Sequence, residues 1–232
     1  MLLAFWSPKG GSGTTVVAAA ASLVLARSGG VRLADLAGDH PAVFGLGADP
    51  TLGLVDWLAA APEAPTEALD RLAIEVAPRC LLVPRGAGPL VDSASAGAAL
   101  AVALRDGPMP TVVDVGSGPP SDVARAVLDV ADVSIVVLRA CYLGLRRAVA
   151  SGLLEGTAGA VLVAEPGRAI GAREVADVIG RPVLAQVEAS AAVARAVDAG
   201  VLASRLPDPL ARRLRPMLDR IGARPQRPGR AA

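Results

Sequence analysis

The residues best suited to chemistry form a glycine-rich loop near the start of the chain. The run Ser7–Thr15, SPKGGSGTT, separates a short apolar segment from an alanine-rich segment that predicts a helix. A loop at such a junction can turn several backbone N–H groups inward, and the helix adds the positive end of its dipole. Glycines let the backbone approach a phosphate closely, and the hydroxyl of Thr15 can reach Mg²⁺. The competing interpretation is an ordinary turn.

Three features favour phosphate binding over an ordinary turn. The loop lies at the first strand-to-helix junction, a threonine pair opens the helix, and Lys9 is the only lysine among 23 basic residues. We therefore predict a phosphate-binding loop. Its candidate residues are Lys9, Gly10, Gly11, Ser12, Gly13, Thr14 and Thr15.

Two carboxylates follow apolar runs that predict buried strands. Asp35 comes near the end of Val31–Leu36, and Asp114 lies in Thr111–Val115. A carboxylate at the carboxyl end of a central strand can hold Mg²⁺ through water, so Asp114 and Thr15 are the candidate metal ligands. The alternative for Asp35 is a strand-end carboxylate that only caps a neighbouring turn, and the alternative for Asp114 is an ordinary strand-terminating aspartate. His40 is expected to face solvent from a loop.

The segments that must position these residues alternate between strand and helix patterns. This alternation predicts an α/β fold: a doubly wound, mainly parallel sheet with helices on both faces, in one domain over residues 1–221. The Pro/Gly/Arg-rich tail, residues 222–232, is predicted to be disordered. Besides 2–6, 31–36 and 111–115, the predicted strands are 80–83, 133–138, 160–163 and 183–186. The predicted helices are 14–27, 52–60, 66–71, 90–105, 121–130, 142–151, 171–179, 189–199 and 209–221.

Composition excludes several classes of protein. The formal net charge of +1 provides no global field for nucleic acid, which disfavours direct nucleic-acid binding, although Arg146 and Arg147 with the C-terminal arginines could form a weak patch. Two isolated cysteines predict no disulfide framework and a reduced compartment. The longest apolar run, residues 16–26, is too short to span a membrane. We expect a cytoplasmic protein.

The loop resembles that of the MinD/ParA family of P-loop ATPases, which reads K-G-G-x-G-K-[ST], and the similarity extends over residues 2–220. The resemblance implies ATP or ADP with Mg²⁺ as cofactors and a homodimer closed by nucleotide. It implies that Lys9 crosses the dimer interface to the partner's nucleotide and that the loop glycines cradle the phosphates. Thr15 matches the hydroxyl that binds Mg²⁺, and Asp114 matches the Walker B aspartate.

Two positions depart from the family's pattern. Thr14 stands where the family has the lysine that contacts the β and γ phosphates, and a neutral hydroxyl cannot supply that charge. Asp35 matches the first carboxylate of the family's D-x-D stretch, but Ala37 replaces the second, for which Asp39 is a possible substitute. The residues with implied catalytic roles are Lys9, Asp35 and Asp39. We expect nucleotide binding to be retained and hydrolysis to be impaired.

Imperfect loops of this kind resemble the TadZ/CpaE pilus-positioning proteins and the septum-site-determining proteins. That subgroup implies a positioning factor at the pole, septum or membrane, with a protein partner in pilus or division machinery. An active partitioning or division-site ATPase is one alternative, and an interaction module without nucleotide is another. The amphipathic segment 209–221 is predicted to pack on the sheet, with peripheral membrane contact as its alternative.

Overall fold

The computed structural model describes residues 1–222, and an eight-stranded sheet forms its centre. Across the sheet the strands follow the order β3-β4-β2-β5-β1-β6-β7-β8. β3 is antiparallel to β4, and the other neighbours in this sheet are parallel. In chain order the strands are β1 (Leu2–Ser7), β2 (Val31–Asp35), β3 (Ile74–Ala77), β4 (Cys80–Val83), β5 (Thr111–Ser117), β6 (Val133–Arg139), β7 (Gly159–Ala164) and β8 (Val183–Glu188).

Helices cover both faces of the sheet, which is why the central strands are apolar along their length rather than alternating. Every residue of β1 and of β2 is buried. The helices are α1 (Thr14–Ala26), α2 (His40–Val43), α3 (Leu54–Ala60), α4 (Glu67–Leu72), α5 (Ala94–Arg105), α6 (Asp122–Val130), α7 (Tyr142–Ala150), α8 (Ala172–Ile179), α9 (Ala191–Asp198) and α10 (Asp208–Gly222).

Two hydrophobic clusters lie on opposite faces of the sheet. One contains α1, α2, α9 and α10, and the other contains α3 to α8. β1 occupies the middle of the sheet, between β5 and β6. The chain leaves β1 at Ser7 and returns as α1, so the glycine loop emerges at the carboxyl edge of the central strands. In sheets of this type ligands bind in the crevice at that edge.

The predicted fold class is confirmed, and all of the predicted strands are present with ends that differ by one or two residues. Two elements were not predicted. α2 is only four residues long and contains Pro41, so its pattern is too short to show a period. β3 is a half-buried edge strand, and it pairs with β4 through a tight turn in which Arg79 has a φ of 63°.

The last helix packs on the sheet, as the preferred interpretation of its pattern predicted. α10 contacts β8 and α1 and continues through Pro216 to Gly222, so Gly222 belongs to this helix rather than to the predicted tail. The rest of that tail, residues 223–232, lies outside the described residues. Within residues 1–222, no helix combines the length and the apolar character needed to cross a bilayer. The buried residues of α10 are Leu210, Ala211, Leu214, Met217, Leu218 and Ile221.

Candidate functional site

The glycine loop takes its shape from glycine dihedrals and from two serine hydroxyls. Gly11 and Gly13 have φ values of 75° and 90°, in the left-handed region that side chains disfavour. The hydroxyls of Ser7 and Ser12 both donate to the carbonyl oxygen of Lys9, at 2.8 and 3.0 Å. These bonds pin the middle of the loop, so its fold is set within the chain itself.

The loop presents the start of α1 to an open cavity. Gly13 caps α1 with its backbone alone, and no side chain among residues 1–222 satisfies the first N–H groups of the helix. A Cβ added at Gly11 would meet nothing within 4 Å. The cavity has a volume of about 500 Å³ and is lined by the loop, by the first turn of α1, by residues 36, 37 and 39, and by residues 115–117. Unsatisfied amides at a helix start facing open space are suited to an anion.

The side chains of the loop differ in their burial. Thr14 is buried, with 7% of its surface exposed, whereas Thr15 is half-buried, and both line the cavity. Lys9 is half-buried, and its ammonium group donates to the carbonyl of Gly10 at 3.0 Å. The predicted phosphate-binding residues from Gly10 to Thr15 therefore line one cavity, but Lys9 is not among its lining residues and Thr14 contributes no charge.

Asp35 and Asp114 are neighbours in register on β2 and β5, and both are fully buried. Asp35 accepts hydrogen bonds from the backbone N–H groups of Gly38 and His40, at 2.7 and 3.1 Å. Burial raises the pKa of Asp35 above its usual value, while the neighbouring His40 opposes that shift. Asp35 thus holds the 36–40 loop against the end of β2.

The expectation that His40 faces solvent is wrong. Its side chain is fully buried, stacks on Phe44 at 5.8 Å between ring centroids, and places Nε2 3.3 Å from Oδ2 of Asp114. His40 is buried because α2 begins at this residue and the chain just after α2 packs closely, at the contact between Gly45 and Gly200. The apolar run that follows His40 was the available signal for burial.

The geometry around Asp114 fits the Mg²⁺ that the sequence implied. Its Oδ1 accepts from the backbone N–H of Gly116 at 2.9 Å. Its Oδ2 makes no well-aligned hydrogen bond among residues 1–222, although Nε2 of His40 lies 3.3 Å away. Ligand atoms of Asp35, His40 and Asp114 lie within 4.8 Å of one another. A buried carboxylate oxygen that is not saturated by donors is suited to a cation or to its bound water. Thr15 would hold the ion from the cavity side.

The two remaining positions of the 35–39 stretch lie beside the cavity. Ala37 lines it without a polar group, and Asp39 lines it as an exposed carboxylate. A substitute for the carboxylate missing at Ala37 must lie at this cavity, and Asp39 does.

An apolar cleft that the sequence analysis did not find extends the cavity. It has a volume of about 420 Å³ and shares Gly13 and Val16 with the loop cavity. Val163 and Val187, at the ends of β7 and β8, form its floor, and α9 forms one wall. The residues that build it come from six separate helices and strands, so no contiguous motif marks it. The two compartments adjoin at Gly13 and Val16, at the carboxyl ends of the strands.

Charged side chains stand at the edges of this apolar cleft. Arg139, Glu188 and Asp198 are among its lining residues. Arg139 donates to Glu165 at 2.9 Å, and Glu165 also accepts from Arg168 at 2.8 Å. The hydrogen bond from Arg168, helped by the charges of Arg139 and Lys9, lowers the pKa of Glu165 below its usual value. Arg139 was not among the predicted site residues.

Comparison with known proteins places the fold. No family model matches the sequence, and no curated protein matches it. Solved structures do. The septum-site-determining protein MinD of Pyrococcus horikoshii OT3, complexed with Mg-ADP, has a TM-score of 0.77 at 18% identity over 96% of each chain. A ParA family ATPase from Chlorobium tepidum TLS has a TM-score of 0.75 at 20% identity over 95% of this chain and 96% of that chain.

A MinC:MinD cell division protein complex from Aquifex aeolicus is also similar, with a TM-score of 0.76 at 16% identity over 99% of this chain and 98% of that chain. At these identities the likeness defines the fold. The chain has the fold of the MinD/ParA P-loop ATPases, and its glycine loop stands at the strand-to-helix junction from which that class takes its name.

We predict that His40→Ala destabilises the protein by about 2–4 kcal/mol. The substitution leaves a cavity beneath α2 and removes the polar group nearest to the buried Oδ2 of Asp114. Urea unfolding measures the loss. Asp39→Ala, at the exposed neighbouring position, should change the free energy of unfolding by less than about 0.5 kcal/mol. His40→Gln, which keeps an amide donor, should lose less than the alanine variant. Equal stability of His40→Ala and wild type would contradict the packing described here.

Proposed function

We propose that the chain is a nucleotide-binding switch that binds Mg-ATP and acts as a positioning factor of the MinD/ParA type. The observation that carries this proposal is the pair of adjoining cavities, in which an uncapped helix start and glycine loop lie beside an apolar compartment. A nucleotide has the same division, with anionic phosphates at one end and a flat apolar base at the other. Neither compartment alone would favour a nucleotide over a simple anion or an apolar molecule.

In the loop cavity the chain's own groups would bind and orient the phosphates. The backbone N–H groups from Gly10 to Thr15 surround the phosphates, and the dipole of α1 adds favourable charge. A bound Mg²⁺ would neutralise phosphate charge. Thr15 would hold the ion directly, and Asp114 would hold it through water from its Oδ2.

In the apolar compartment Val163, Val187 and α9 would cover the two faces of the base. Glu188 and Asp198 supply carboxylate acceptors at the same cleft. Carboxylates suit the exocyclic amine of a base or the hydroxyls of a ribose. The polar groups thus lie where a nucleoside offers donors, and the apolar groups lie where it offers ring surface.

Hydrolysis is the weak function in this proposal. Thr14 is buried and neutral at the start of α1, and Ala37 gives the cavity no carboxylate. Asp39 is available at the cavity edge, but its exposed side chain is not held by a partner among residues 1–222. Phosphoryl transfer depends on positioned charge, so these changes reduce turnover more than occupancy. ATP binding would then act as a long-lived signal.

In this proposal ATP binding closes a homodimer, and the closed dimer is the signal. Lys9 is half-buried next to Gly10, which lines the cavity, and its long side chain could reach a nucleotide held by a second copy of the chain. The dimer would present a surface to a protein partner in division or pilus machinery, as a cytoplasmic protein located at a septum, pole or membrane. The MinC:MinD complex shows that a protein of this fold assembles with a partner.

Calorimetry of Mg-ATP binding tests this proposal. We expect wild type to bind and Thr14→Lys to bind roughly tenfold more tightly, because the new ammonium group adds a charge-assisted phosphate contact. Phosphate release by wild type should be no faster than that by Asp114→Asn. Clear turnover above that control would instead favour an active ATPase. Absence of wild-type binding at millimolar nucleotide would favour an interaction module without nucleotide.

A tryptophan substitution in the apolar compartment tests where the base lies. Ala194 lines the cleft on α9, whereas Ala192 is exposed on the same helix and does not line it. We expect Ala194→Trp to weaken Mg-ATP binding by roughly tenfold or more by filling the space for the base, and Ala192→Trp to leave it unchanged. Pyrophosphate, which has no base, should bind both variants equally. An equal effect of the two substitutions on Mg-ATP would argue against a base in this cleft.

A further inference from the structure

Among residues 1–222, no positively charged side chain lines the loop cavity at the start of α1, although phosphate binding is stronger with one. Thr14 is buried there and neutral, and Lys9 is turned onto the carbonyl of Gly10. Backbone amides alone give weaker contacts than charged donors do. A nucleotide bound here would therefore gain from a positively charged side chain on another helix or strand. The identity of that side chain is inferred here on the basis of the proposed function.

Arg139 is placed next to the loop by the sheet. It is the last residue of β6, the strand beside β1, and it pairs in register with Val163 of β7. Val163 in turn lies 3.7 Å from the position that a Cβ of Gly13 would occupy. Because side chains alternate along a strand, Arg139 shares the face of Ile135 and Val137, which is the face that α1 covers. Arg139 therefore lines the apolar cleft near Gly13, a residue that the cleft shares with the loop cavity.

The guanidinium is held in place but not saturated. One of its nitrogens, Nη1, donates to Glu165, and its Nε is buried without a partner among residues 1–222. An arginine carries five N–H donors, so most of this donor capacity remains for a ligand. A half-exposed ion pair of this kind contributes little to stability, which leaves ligand binding as the stronger reason for this arrangement.

The surrounding charge favours an anion at this point. Lys9, Arg139 and Arg168 all act on the single carboxylate of Glu165, so the local balance is positive. Glu188 ends β8, two strands from β6, which puts its backbone roughly 10 Å away at the usual strand spacing. The cleft thus has a cationic end beside the loop and an acidic end beside α9. A nucleotide would lie with its phosphates toward Arg139 and its nucleoside toward Glu188.

We propose that Arg139 binds the phosphates of the nucleotide within the same chain and supplies the positive charge that Thr14 does not. Glu165 is the positioning residue: it anchors Nη1 of the guanidinium and leaves the remaining Nη donors for a ligand in the cleft that Arg139 lines. Arg168 holds Glu165 from its other oxygen and does not line the cleft.

Binding of Mg-ATP, Mg-ADP, adenosine and pyrophosphate to the full chain tests this assignment, with folding checked by urea unfolding. Arg139→Ala should weaken Mg-ATP and pyrophosphate binding by roughly tenfold or more and leave adenosine binding unchanged. Arg168→Ala, which removes the other cation on Glu165, should change each affinity by less than about threefold. Arg139→Lys should retain part of the affinity, and it serves in place of the alanine variant if that variant does not fold.

A double substitution tests whether Arg139 replaces the missing loop lysine. If it does, Thr14→Lys introduced into Arg139→Ala should restore at least wild-type affinity for Mg-ATP. The assignment is overturned if Arg139→Ala binds Mg-ATP as wild type does, if adenosine is lost equally, or if Thr14→Lys gives no recovery. In each of those results wild type still binds nucleotide, so the proposed function stands. Failure of wild type to bind both nucleotide and pyrophosphate overturns the proposed function together with this assignment.

Discussion

The structure depends on a sheet whose central strands are buried on both faces. When helices cover both faces of a parallel sheet, the edge formed by the carboxyl ends of its strands is the main place left for a ligand. β1 lies in the middle of this sheet, so the loop that leaves it must cross that edge before α1 returns along one face. The position of α1, and therefore of its uncapped amides, follows from this constraint. The apolar cleft has the same origin, because β7 and β8 end at the same edge.

Charge is distributed around this edge in an uncommon way. The loop itself offers one half-buried lysine and a buried threonine, while the neighbouring strand end offers Arg139 in a network with Glu165 and Arg168. On the other side of β1, Asp35 and Asp114 are buried beside His40. The positive groups thus lie toward the apolar compartment and the acidic groups toward the metal side. This separation suits an anionic ligand that carries a divalent cation, and it does not depend on a lysine in the loop.

The sequence predicted those features that depend on local patterns. Apolar runs predicted the strands, and the glycine run with Thr14 and Thr15 predicted the loop, because strand burial and helix starts are encoded in neighbouring residues. The position of His40 was predicted wrongly, since its burial depends on α2 meeting the end of α9 through the Gly45–Gly200 contact. The apolar cleft and the place of Arg139 beside Gly13 also arise from residues far apart in the chain. Only the strand order of the sheet brings such residues together.

Hydrogen exchange of the full chain with and without Mg-ATP tests the central claim most directly, because it maps where the nucleotide lies without requiring turnover. The account predicts that Mg-ATP slows amide exchange in two separated segments, the loop at residues 8–16 and the end of β8 with α9 at residues 187–198. Protection of both segments would place one nucleotide across the two compartments. Exchange that is unchanged in the loop at saturating nucleotide, or protection confined to other parts of residues 1–222, would contradict the account.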